Sequence, residues 1–61
     1  PVYPKGRNVI LSDGNVAVVV ENRQYHTLYP VVRRLSDGET IDLAEQNENL
    51  SEPLSILDFE R

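Results

Sequence analysis

Apolar residues gather along the chain in five short runs: Val9 to Leu11, Val16 to Val20, Val31 to Leu35, Ile41 to Leu43 and Leu54 to Phe59. β-Branched residues dominate the first four, and turn-forming or charged residues bound all five, which is the pattern of short strands. The same tetrapeptide separates the first run from the second and the third from the fourth: Leu11-Ser12-Asp13-Gly14 and Leu35-Ser36-Asp37-Gly38. Asp-Gly between apolar runs signals a hairpin, because Gly enters positive φ without strain and Asp caps the turn with its own carboxylate. Two tandem hairpins and a C-terminal strand in so short a chain predict an all-β, five-stranded SH3-like barrel, whose closure would remove exposed edges.

The repeated turn also predicts a register. A three-residue Ser-Asp-Gly loop, with Gly in the left-handed region, sets Leu11 opposite Asn15 and Val9 opposite Ala17. In the second hairpin it sets Leu35 opposite Glu39, Arg33 opposite Ile41 and Val31 opposite Leu43. The inward faces then collect Val9, Leu11, Ala17 and Val19, and likewise Val31, Leu35, Ile41 and Leu43. A two-residue Asp-Gly loop would instead spread the second hairpin's apolar residues over both faces, so the longer loop is preferred. Arg33 fits poorly, because it falls inward between Val31 and Leu35. Either its apolar stem lies along the core or a bulge turns it outward.

Outside the runs, Glu21 to Tyr29 reads as a polar connection, and Ala44 to Pro53 as an acidic, Asn-rich stretch holding at most one helical turn before Pro53. The opening Pro1-Val2-Tyr3-Pro4-Lys5-Gly6 resists helix and central strand alike. Residues 1–6 are therefore expected to be a linker from an upstream domain and 7–61 a single small domain. With no Met in the chain, a segment of a longer protein is expected.

Composition narrows the chemistry. A domain of 61 residues buries only about 60% of the surface its unfolded chain exposes, and with no Cys neither a disulfide nor a thiolate can support the core or a site. Oligomerisation or contact with a larger body is the expected source of further stability. Ten acidic residues against six basic give a net charge of −4, which opposes binding to phosphate backbones. No run approaches the length of a membrane span and no signal peptide opens the chain. A cytoplasmic protein with no nucleic-acid partner and no membrane insertion is expected.

No constellation points to catalysis. His26 is the only histidine, with no His-x-x-x-His or His-Asp partner, so an exposed loop position explains it better than a metal does. The carboxylates are many, but Asp13 and Asp37 are explained as turn residues, and Asp42-Leu43-Ala44-Glu45 lacks the alternation of a calcium loop. No catalytic residue, metal or cofactor is expected. The best surface candidate is the connection and the strand after it, holding Arg23, Tyr25, His26, Tyr29, Arg33 and Arg34. Tyr and Arg are enriched at interface hot spots. Alternatively, Tyr25 and Tyr29 seal an end of the barrel while the arginines pair with nearby acids.

The succession Tyr3-Pro4-Lys5-Gly6, Val9-x-Leu11-Ser12-Asp13-Gly14, Ala17-Val18-Val19-Val20-Glu21-Asn22, Pro30-Val31-Val32-Arg33 and Ile41-Asp42-Leu43 resembles the tail that follows the catalytic domain in bacterial HD-GYP proteins. That family hydrolyses cyclic di-GMP with a metal-dependent, all-helical domain bearing His-Asp and Gly-Tyr-Pro motifs. Neither motif is present: Thr27 follows His26, and Leu28 precedes Tyr29-Pro30. The resemblance implies a non-catalytic accessory module that packs on the helical catalytic domain of its parent chain or on a second copy of itself. The acidic Glu45 to Glu52 stretch has no counterpart in the pattern. Two other readings remain: an SH3-like module binding peptide or ligand through the Tyr25 to Arg34 surface, and direct recognition of the dinucleotide by Arg23, Arg33 and Arg34.

Overall fold

The computed structural model describes residues 2–23, 27–49 and 54–60. Five strands and one helix follow in the order β1 (Asn8–Leu11), β2 (Val16–Glu21), β3 (Val31–Arg34), β4 (Thr40–Asp42), α1 (Leu43–Asn49) and β5 (Ile56–Phe59). All strands join one antiparallel sheet in the order β4-β3-β2-β1-β5. The expected all-β character and the five strands are present.

Closure into a barrel is not. β4 and β5 are the two ends of the strand order, and their Cα atoms stay more than 8 Å apart, beyond the roughly 4.8 Å that separates bonded strands. The sheet nevertheless curls. Val9, Leu11, Ala17, Val19 and Val32, all on one face, have at most 1% exposure, although among the described residues no second sheet stands opposite. Leu43 at the start of α1 joins the same buried cluster, and Tyr3, Tyr29, Leu54, Ile56 and Phe59 pack around it. Two bulges supply the bend, one at Val20 between β2 and β3 and one at Leu57 between β1 and β5. Among the described residues no polar or charged residue is buried, so the core is apolar throughout.

The first hairpin has the expected register. Val9 faces Ala17, the Leu11 amide donates to the Asn15 carbonyl at 2.8 Å, and the Gly14 amide returns to the Leu11 carbonyl at 2.9 Å. Asp13 accepts both the backbone and side-chain N–H of Asn15 at 3.0 Å.

The second hairpin corrects the expectation. Val32 faces Ile41 and Arg33 faces Thr40. The Arg34 amide donates to Glu39, and the Gly38 amide donates four residues back to Arg34, so the loop holds four residues, Leu35 to Gly38, where three were expected. One more loop residue reverses the parity of the strand. Leu35, expected in the core, is 53% exposed, and Val32 takes a fully buried position in its place. Val31 is buried as expected, but it lies outside the main core cluster. Arg33 turns outward through loop length, without needing a bulge. A three-residue loop would have placed a cation against Ile41, a larger cost than leaving Leu35 in water.

α1 is also longer than expected, seven residues in place of one turn. Asp42 is its N-cap: Oδ1 accepts the amides of Ala44 at 3.1 Å and Glu45 at 3.3 Å. Leu43, expected on a strand, enters the core from the first helical position with no exposure. Residues 2–6, expected to be a linker, run against the sheet. The Gly6 amide donates to Val19 at 2.8 Å, and the Asn22 side chain donates to the Tyr3 carbonyl. No described helix is long and apolar enough to cross a membrane.

Candidate docking surface

β3 separates the two arginines that the sequence groups together. Adjacent strand residues point to opposite faces, and Arg34 pairs across to Ala17 on the inward face whereas Arg33 pairs to Val18 on the outward one. Arg34 sits at the rim of the core and meets the turn beside it. Its Nε donates to Asp37 Oδ1 at 3.1 Å, one terminal nitrogen to Asp37 Oδ2 at 2.8 Å, and the same nitrogen to Glu39 at 2.7 Å. This two-point fork is the geometry in which guanidinium and carboxylate interact best. The fork, helped by the Glu39 amide at 3.0 Å, pulls the Asp37 carboxyl down to about 2, and its hydrogen bond to Asp37 in turn raises Arg34 above its ordinary value.

Arg23 is engaged as well. It pairs with Asp42, whose other oxygen caps α1, so one carboxylate ties the β2–β3 connection to the start of the helix. Tyr29 packs against the core cluster, which matches a sealing role better than an exposed contact. Arg33 is exposed and makes no ion pair among the described residues. Tyr25 and His26 lie outside the described residues. The four described candidates thus divide among a rim, a core edge and the outer face.

An open depression of about 720 Å³ lies beside Arg23 and Arg34, lined also by Glu21, Glu39, Asp42 and Glu45. Both of its guanidinium groups are matched by carboxylates, which leaves the lining net negative and suits it poorly to an anion such as a cyclic dinucleotide. Among the described residues, no three His, Cys, Asp or Glu side chains gather as a metal site would require.

The surface that the sequence reading missed is the β5 margin. Among the described residues β5 pairs with β1 alone, and the bulge lets Leu57 stand out at 66% exposure. On the same strand, Phe59 meets the Tyr3 ring at 5.6 Å between centroids, and the Arg7 guanidinium lies 4.5 Å over the Phe59 ring. A cation over an aromatic face and a tilted ring pair make this edge well formed. Ile56-Leu57-Asp58-Phe59 does not mark this margin in the sequence, because the bulge that turns Leu57 away from Ile56 and Phe59 leaves no local trace.

Fold and surface together define a small all-β module with one curled sheet and an apolar free edge. Comparison with protein-family models, with curated proteins and with solved structures finds no match for the chain.

Proposed function

We propose that this chain is a non-catalytic docking module, a half-open SH3-like barrel that attaches to the helical catalytic domain of an HD-GYP-type, metal-dependent phosphodiesterase in cyclic-di-GMP signalling. The parent class rests on the ordered succession of motifs from Tyr3 to Leu43. The docking role is carried by one observation, the two-thirds exposed Leu57 on a strand whose outer edge has no partner among the described residues. Edge strands present unpaired N–H and C=O groups that another chain can join, and an exposed apolar side chain beside them adds contact area.

The test is a calorimetric titration of the chain against a separately expressed HD-GYP catalytic domain. Saturable binding that Leu57→Asp abolishes is expected, with the circular dichroism of the variant unchanged because position 57 faces solvent. No heat from either form, with the chain monomeric at high concentration, overturns the docking role. Binding that survives Leu57→Asp moves the contact to another face.

A further inference from the structure

The two Asp-Gly pairs hold a chemistry that turn formation does not use. In such a pair the Gly amide nitrogen can attack the Asp carboxyl carbon, Cγ. An N–Cγ bond forms, a C–O bond breaks, and the amide proton leaves with the carboxyl hydroxyl as water. The resulting succinimide then takes up water at either carbonyl and reopens as aspartate or as isoaspartate, an isomer of equal mass whose backbone runs through the former side-chain carboxyl. Glycine favours the attack because no side chain shields its nitrogen. Every Asn of the chain is followed by a residue with a side chain, as are Asp42 and Asp58. Asp13 and Asp37 are the two sites left.

In the fold the glycines are held alike. Gly14 donates its N–H to the Leu11 carbonyl at 2.9 Å, and Gly38 donates to the Arg34 carbonyl at 2.8 Å. Their carboxylates are held differently. Asp37 sits in the Arg34 fork and also accepts the Glu39 amide, so a cation fixes it in its charged, unreactive form and in one orientation. Among the described residues Asp13 accepts hydrogen bonds from the neutral amides of Asn15, two residues on and within the same turn, and the Arg34 cation reaches it through space without an ion pair. Charge-assisted bonds are roughly twice as strong as neutral ones, and the reacting carboxyl must be both neutral and free to swing toward the glycine nitrogen.

We propose that Asp13 is the site of spontaneous isomerisation in this chain, and that the Arg34 fork protects Asp37 in the same tetrapeptide. The location gives the change a consequence. Isoaspartate lengthens the backbone of the three-residue loop by one methylene, in the turn whose register points Leu11 into the core. Ser12, next in the chain, holds the start of β5: its amide donates to the Ser55 carbonyl at 2.7 Å and its hydroxyl accepts the Ser55 amide at 3.0 Å. Modification at Asp13 would therefore loosen the β5 margin first.

The chain contains its own control, because the two sites share the sequence Leu-Ser-Asp-Gly. Folded chain and chain in concentrated urea are incubated side by side in mildly acidic buffer, digested, and the isoaspartate in each turn peptide is quantified by electron-transfer fragmentation. Similar rates in urea and an Asp13 rate about tenfold or more above that of Asp37 in the folded chain are expected. Arg34→Gln, checked for folding by circular dichroism, should raise Asp37 toward the Asp13 rate. Equal rates in the folded wild-type chain, or faster reaction at Asp37, overturn the proposal without recourse to any variant. A gap that persists in folded Arg34→Gln removes the role of the fork.

Discussion

The two hairpins begin from the same four residues and end with opposite side chains in the core. In the first, Leu11 closes a three-residue loop and is fully buried. In the second, the equivalent Leu35 belongs to a four-residue loop and is more than half exposed. Both loops finish with Gly at positive φ, 90° at Gly14 and 72° at Gly38, so glycine chemistry is common to the two and does not set the loop length. The flanking strand does. Val9-Ile10-Leu11 offers apolar residues at both positions that a three-residue loop turns inward. Val32-Arg33-Arg34-Leu35 would bring Arg33 inward under that loop, whereas one further loop residue buries Val32 and leaves Arg34 at the rim with Asp37 and Glu39 in reach. A turn sequence therefore proposes a bend, and the parity of the strands decides where the bend closes.

Deleting Ser36 tests that explanation most severely. The shortened loop would drive Arg33 against Ile41 or break the β3–β4 pairing, and either cost is comparable to the whole stability of a 61-residue domain, about 3 to 9 kcal/mol. Loss of the cooperative urea transition is expected. A deletion variant as stable as the parent would show that parity does not govern the loop. Of smaller effect is truncation of the two leucines. Leu11→Ala should lower the stability measured in urea by about 2–5 kcal/mol, and Leu35→Ala by no more than about 0.5 kcal/mol. Equal losses would mean that the two turns bury their leucines alike.

The smallest effect is in the acid limb. The Asp37 carboxyl lies below its ordinary value of 3.8, at about 2, because it accepts the Arg34 fork. A lowered folded-state value means that its contribution is complete above the unfolded value and is lost as pH falls from about 4 toward 2. Asp37→Asn should remove that part of the acid dependence, read as a shallower loss of stability across this window. An unchanged acid limb would place Arg34 and Asp37 in no effective contact in solution.

Much of the fold was legible in the chain because apolar runs and turn residues agreed. All five strands and the full register of the first hairpin follow from the runs and from Leu11-Ser12-Asp13-Gly14. The second register was misread because Leu35 looked like a core residue and no local rule weighs its exposure against the burial of Arg33. The helix was under-read although its start was written in Asp42-Leu43-Ala44-Glu45, an acidic cap followed three residues later by Glu. Of the candidate surface, Arg23 and Arg34 could be placed only by knowing which carboxylates the sheet brings to them. The free edge at Leu57 depends on strand order and on a bulge, neither of which leaves a local trace.

The position of β5 has a kinetic meaning. Both hairpins join neighbours in sequence, whereas β5 reaches β1 across nearly the whole chain, with Leu11 against Ile56 and Val9 against Phe59. A pairing that distant bears the largest loop-closure entropy and is expected to form after the local ones. The strand expected to close the chain last is also the one that carries the exposed Leu57. A partner gripping that edge would bind only molecules whose final pairing is complete, so its binding would draw the folding equilibrium forward by mass action.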